Sequence, residues 1–385
     1  MFKMSSLLLM LFLPFHFNVK TDSSTPLSKN TNFIEKTEKQ KGKIQIALLL
    51  DTSNSMDGLI DQAKSQLWKM VNKLASAKKE GEYTDIEIAL FEYGNDNLAM
   101  GEGYIRMISS LSKDVDGLSE QLFKLKTQGG SEYCGWVIGD AVSNLKWSDD
   151  DKDLKLIIIA GNEPFDQGPK DFRETCKQAE KKGIIINTVH CGDWKTGVET
   201  HWKDGADIAK GKYLNIETDR KIIHIRTPYD DIMIQLNLRL NKTYLGYGAR
   251  GSKMMERQQA QDSNAATYGA ANAASRTAYK AKEQYKNSDW DIVDAADDKK
   301  ISVEKMKKEE LPEEMQKMSG EERKTYIEKL SKEREAVKKE IQEIDKKIQD
   351  FTAKEMKTKG ETLTLDKVME EAVVAQALAQ GFKFE

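Results

Sequence analysis

One stretch restricts what this chain can fold into more than any other: residues 44–57, I-Q-I-A-L-L-L-D-T-S-N-S-M-D. The opening run is apolar except for Gln45, the pattern of a strand covered on both faces in a parallel sheet. It passes without a break into an oxygen-rich corner where Asp51, Ser53 and Ser55 occupy alternate positions. A tight turn aims such side chains at one point, and a carboxylate with hydroxyls suits a hard cation such as Mg²⁺ or Mn²⁺. The alternative use of Asp51 and Ser53 is to cap the turn into the following helix.

Strand-like and helix-like segments alternate from Lys43 to about Asn241, as in a doubly wound, mostly parallel α/β sheet. Strands are expected at 44–50, 85–93, 104–108 (weaker, at an edge), 153–160, 184–190 and 213–216, with a further one at 222–225. Helices are expected at 59–74, 118–125, 136–145, 169–182, 201–209 and 228–240. Parallel strands joined by right-handed crossovers end on one edge, so the loops at Asp51, Ser131, Gly161 and Cys191 should gather there. In the second of these, T-Q-G-G-S-E, Gly129 and Gly130 permit a close backbone approach and Ser131 offers another hydroxyl.

The D-x-S-x-S motif after a buried strand, the G-G-S-E loop and the E-P loop after another buried strand together resemble von Willebrand factor type A (VWA) domains. That resemblance implies a Rossmann-like fold and a metal-ion-dependent adhesion site. It assigns Asp51, Ser53, Ser55 and Ser131, the last where the family usually has threonine, as ligands of Mg²⁺ or Mn²⁺. It also exposes a departure: the family's final aspartate falls on Gly161 in A-G-N-E-P-F, which leaves Asn162, Glu163 or Asp166 to compensate. The segments Y-L-N-I-E-T-D, T-P-Y-D-D and W-D-I-V-D-A are similar to those of exported bacterial proteins with one VWA domain and a charged helical tail.

Composition adds the second part of the chain. Charged residues make up 32% and apolar ones 39% of the 385, so a long solvated helical region must dilute an ordinary core. Residues 242–318 read as a helical and irregular extension. Within it, 254–285 is rich in Ala, Gln, Asn and Ser and suggests one long surface helix, while Trp290, Ile292, Val293 and Leu311 are docking anchors. Residues 319–385 form charged helices. Ser319 and Glu322 have the spacing of a capping box. Ile327, Leu330, Val337, Ile341, Ile344, Ile348 and Phe351 then keep a heptad register broken by Arg334, as in a short coiled coil or a helical hairpin. A last amphipathic helix ends at Gly381.

At the N-terminus, Lys3 and the apolar run 7–17 read as a signal-peptide core within residues 1–20, too short to span about 30 Å of hydrocarbon. Residues 21–42 are a polar lead-in. Export permits disulfides, but Cys134, Cys176 and Cys191 are an odd set and read as buried thiols. His190, Cys191 and His201 match no common zinc spacing, and a net charge of -3 argues against nucleic acid as a partner.

These features describe an exported, periplasmic or extracellular, non-catalytic module of residues 43–241 whose cation is completed by an acidic group of a protein partner, without a transmembrane anchor. A metal-independent assembly protein of the cell envelope with a degenerate site is the alternative. A metal-dependent hydrolase is a third reading. The oligomeric state and the partner's identity are not encoded in any motif.

Overall fold

A computed structural model describes residues 41–216, 225–359 and 365–384. The expected signal segment, residues 21–40 of the lead-in and residues 222–224 of the strand expected at 222–225 lie outside the described residues. Lys41 onward forms one compact unit.

The chain enters as β1 (Lys43–Asp51), makes one 3₁₀ turn (Asn54–Met56) and runs into α1 (Asp57–Ala75). A small hairpin follows, β2 (Ala77–Lys79) and β3 (Glu82–Tyr83), turned through Glu80 and Gly81, both with positive φ. Two positive-φ residues make the tight turn whose twist suits a hairpin. Then come β4 (Asp85–Tyr93), β5 (Ile105–Ser112), α2 (Val115–Lys124), α3 (Cys134–Asn144), β6 (Leu154–Gly161), α4 (Phe172–Lys181) and β7 (Ile184–Cys191). The sheet is completed after α5 (Trp194–Glu199) and α6 (Trp202–Ile208) by β8 (Tyr213–Ile216).

Strand order is β5-β4-β1-β6-β7-β8, parallel throughout except for the antiparallel edge strand β5. This is the doubly wound sheet the sequence predicts. Alternate residues of β1 serve two cores: Ile44, Ile46, Leu48 and Leu50 face α1 and α2, while Ala47 and Leu49 face α3, α4 and α6. Cys134, Cys176 and Cys191 are free and buried, as expected of thiols used as small apolar groups.

The second half does not stand apart from the sheet. It comprises α7 (Asp230–Asn241), α8 (Gly251–Thr267), α9 (Ala270–Lys280), α10 (Ile292–Asp297), α11 (Gly320–Lys359), α12 (Leu365–Ala379) and β9 (Lys383–Phe384). Tyr244, Met254, Tyr279, Val337 and Val373 extend the core on the α1 side of the sheet. Leu245, Ile292, Val293, Leu311, Met315, Ile327 and Leu330 form a separate smaller core, while Trp290 joins the main one, so the expected anchors dock on two cores. The Ser319 and Glu322 capping box is present, with reciprocal bonds of 2.7 and 3.3 Å.

Two expectations need correction. The single surface helix at 254–285 is two helices, α8 and α9, broken at Gly269, whose φ of +97° no helix interior allows. And α9 is not a surface helix: Asn272, Arg276, Thr277 and Lys280 are buried. Arg276 lies 4.3 Å above the Trp68 ring of α1 and pairs with Asp116 of α2, while Lys280 and Arg276 both reach Asp262 of α8. Small residues let α9 approach, and buried cations add to the apolar contacts of Ala274, Ala278 and Tyr279. Burial alone pushes the Asp262 carboxyl up, but the charges of Lys280 and Arg276 overrule it and hold it below the usual carboxylate range.

Arg334 explains the broken heptad. It is buried in α11, over the ring of Tyr244, and bridges Asp291, Asp294 and the Thr243 carbonyl. The heptad face thus closes on α7, α9 and α10 of the same chain.

Removing one partner of such a pair leaves an uncompensated buried charge, so Arg334→Ala should cost about 3–5 kcal/mol in urea unfolding. Arg239→Ala, which breaks only an exposed pair with Glu340, should stay within about 1 kcal/mol. Asp262 binds a proton less readily folded than unfolded, so its contribution is present above its unfolded pKa of about 3.9 and is lost as pH falls below it. Urea midpoints of wild type should therefore drop in acid, and Asp262→Asn, weaker at neutral pH, should drop less.

Candidate metal centre at the carboxyl end of the sheet

Parallel pairing brings the ends of the central strands level: Leu50 stands beside Ala160, Asp51 beside Tyr93, and Gly161 beside His190. Asp51 is completely buried. Its Oδ1 accepts the Ser53 backbone N–H at 2.7 Å, a local turn that holds the corner in shape. Thr52, also buried, donates its backbone N–H to the Tyr93 carbonyl at 2.9 Å and receives Gln128 N–H on its own carbonyl. Asn95 reaches the Lys126 carbonyl, and Asp96 N–H donates to Gly129 O. Backbone bonds therefore stitch the loops at 52, 94–96 and 126–130 together around one point.

Ser53 sits at the cap position of the 3₁₀ turn but makes no side-chain cap bond. Its hydroxyl instead lies 3.1 Å from that of Ser55. Asp51 thus makes a local turn bond to the backbone, whereas the Ser53 hydroxyl caps nothing. The two hydroxyls are hydrogen-bonded to each other, which holds both oxygens at the same corner. Ser55 is exposed and donates to Asn162 Oδ1 at 3.3 Å, which ties the β6 exit loop to the corner.

The remaining expected residues are placed unevenly. Ser131 is half-buried in the loop before α3, directly after Gly130, which packs against the Gly94 carbonyl and Asp96. Glu163 is exposed, with its charge felt at Asp51 and its carboxylate accepting from Gln167. Asp166 faces His201 instead, 3.8 Å away. Among the described residues no group of three or more His, Cys, Asp or Glu side chains is spaced to hold a metal ion. A cation at this corner would need hydroxyl oxygens beside any carboxylate.

Gly161 has a structural reason. A Cβ there would fall 2.4 Å from Tyr93 Oη and 3.1 Å from Asp51 Oδ2. Tyr93 is fully buried and donates to the Ala160 carbonyl at 3.0 Å, so the space an aspartate would need is filled. Sequence reasoning missed a second buried carboxyl group, Glu132, only 4% exposed and in contact with Asp51 and Ser53. Burial pushes Asp51 up to about 7, against the hydrogen bonds from Ser53. Burial first, and then the charge of Asp51, push Glu132 up to about 9.

A parallel sheet with a D-x-S-x-S corner at the end of its central strand is the arrangement the VWA resemblance implies. No protein-family model and no curated protein sequence matches the chain. Several solved structures are similar to it. The SpRpn10 VWA domain is 16% identical, with 46% of this chain and 89% of that one covered and a TM-score of 0.35. The conserved hypothetical protein BatB from Bacteroides thetaiotaomicron is 15% identical, with 45% and 90% covered and a TM-score of 0.35. Proximal thread matrix protein 1 from the mussel byssus, with a zinc-occupied MIDAS motif, is 14% identical, with 47% and 43% covered and a TM-score of 0.36.

If Tyr93 is what excludes a side chain at 161, Gly161→Ala should destabilise the protein by about 1–3 kcal/mol, the usual cost of overpacking. In a Tyr93→Phe background the same change should cost less, and a double-mutant cycle by urea denaturation measures the difference.

Proposed function

We propose that residues 43–241 are a non-catalytic binding module that holds a divalent cation, Mg²⁺ or Mn²⁺, through Asp51, Ser53, Ser55 and Ser131, and offers it to an acidic group of a protein partner. The carrying observation is the corner itself: a buried Asp51 bonded to the Ser53 backbone, the Ser53 and Ser55 hydroxyls hydrogen-bonded at 3.1 Å, and Ser55 exposed to an incoming ligand. Oxygen donors of this kind suit hard cations. A cation bound there would supply an open coordination position. The chain supplies the rest: Thr52 and Asn95 fix the loop, Asn162 orients Ser55, and Glu163 adds negative field at the rim.

The module reading extends to export, which rests on the apolar run 7–17, and to residues 242–385 as a brace that covers α1 and α2 through Arg276. Among the described residues no helix is long and apolar enough to cross a membrane. A second reading, metal-independent assembly with a degenerate corner, draws on Gly161, where the resemblance expects a carboxylate.

Calorimetric titration with Mg²⁺ and Mn²⁺ tests the two. The proposal expects saturable binding by wild type, and binding at least about tenfold weaker in Asp51→Ala and in the double variant Ser53→Ala, Ser55→Ala. Saturating ion at about 100 times Kd should also raise wild-type stability by about 2.7 kcal/mol. Absence of binding in wild type and variants alike overturns the metal reading in favour of the assembly reading.

A further inference from the structure

The corner contains more negative charge than the D-x-S-x-S motif accounts for. Glu132 lies in contact with the carboxyl of Asp51 and the hydroxyl of Ser53, and its Oε2, like Asp51 Oδ2, is buried and accepts no hydrogen bond. Among the described residues neither carboxyl forms an ion pair with Lys, Arg or His. Charged groups are seldom buried without a counter-charge, and two carboxyls in contact are stable only with a proton or a cation between them.

Room for Glu132 is built into the backbone. Gly94 has a φ of +75°, and a Cβ there would fall 2.6 Å from Glu132 Cγ and 2.7 Å from Asp51 Oδ1. The missing side chain at 94 thus leaves the space that the two carboxyls occupy. On the opposite side, Tyr93 Oη closes the position at 161 from which an aspartate would arrive. One route to a second carboxylate is shut and another is opened.

We propose that Glu132 is a ligand-side carboxylate of the metal site, bringing beside Asp51 the second negative charge that Gly161 does not provide. This rests on the cation reading above. Two carboxylates neutralise a divalent ion, and the hydroxyls of Ser53, Ser55 and Ser131 add neutral oxygen donors, a set suited to Mg²⁺ or Mn²⁺. Glu132 directly follows Ser131, so one loop delivers both groups.

The test is Mn²⁺ binding to the full chain, with free Mn²⁺ counted by electron paramagnetic resonance, for wild type, Glu132→Gln and Asp51→Ala. Glu132→Gln keeps the shape of the side chain and removes only the charge. Its affinity should fall at least about tenfold while its circular dichroism and urea midpoint remain those of a folded protein. If wild type binds, Asp51→Ala does not, and Glu132→Gln binds as wild type does, Glu132 is not part of the site and the cation reading stands without it. If wild type does not bind Mn²⁺, both ideas are overturned and the two carboxyls share a proton. Should Glu132→Gln not fold, Glu132→Asp is judged by the same tenfold criterion, since the shorter arm withdraws the charge.

Discussion

Everything at the site follows from the double pairing of β1. The strand is hydrogen-bonded to β4 on one side and to β6 on the other, with α1 and α2 over one face and α3 and α4 over the other. A residue at the end of such a strand meets protein rather than water, so Asp51 carries its carboxyl into a place where a charge is costly. The surrounding features answer that cost or enforce it. Thr52 pins the turn, Gly94 and Gly161 let neighbours come close, and Tyr93 fills what remains. A site so constrained tolerates little movement and is preorganised for whatever it holds.

The helical half uses a different cement. Beside its apolar contacts, it buries long cationic side chains over aromatic rings: Arg276 over Trp68 of α1 and over Tyr285, and, within the helical half, Lys280 near Tyr244 and Arg334 over Tyr244. The stems bury as hydrocarbon while the heads reach Asp116, Asp262, Asp291 and Asp294. Apolar contacts alone permit sliding. A guanidinium fixed by carboxylates on different elements, as Arg276 is by Asp116 and Asp262, permits one arrangement.

Legibility in the sequence tracked the physics of each element. Residues 85–93 and 213–216 were delimited by alternation and branched side chains, and the capping box by spacing, because these signals are local. The hairpin β2 and β3, and β9, are too short for any periodic pattern. The break at Gly269 sits in a polar stretch where no apolar stripe reveals a change of direction. Arg334 looked like a flaw in a heptad because its partners, Asp291 and Asp294, lie in another segment. Within the site, Asp51, Ser53 and Ser55 were visible as a motif, whereas Glu132 resembled any surface glutamate. Only the fold, by placing Gly94 and Asp51 against it, shows that it is buried.

The short strand β9 joins the far end of the described chain to its beginning. Phe384 pairs with Ala77 and Lys383 with Lys78, immediately after α1, while Phe382 is buried behind them. That contact closes a loop containing nearly the whole described chain, and closing long loops is slow because their entropy must be lost first. The sheet has local partners and can assemble as it emerges during synthesis. The free edge of β2, directly after α1, is covered by β9. The helix that leaves the Asp51 corner thus runs into a hairpin that is clasped by the far end of the described chain.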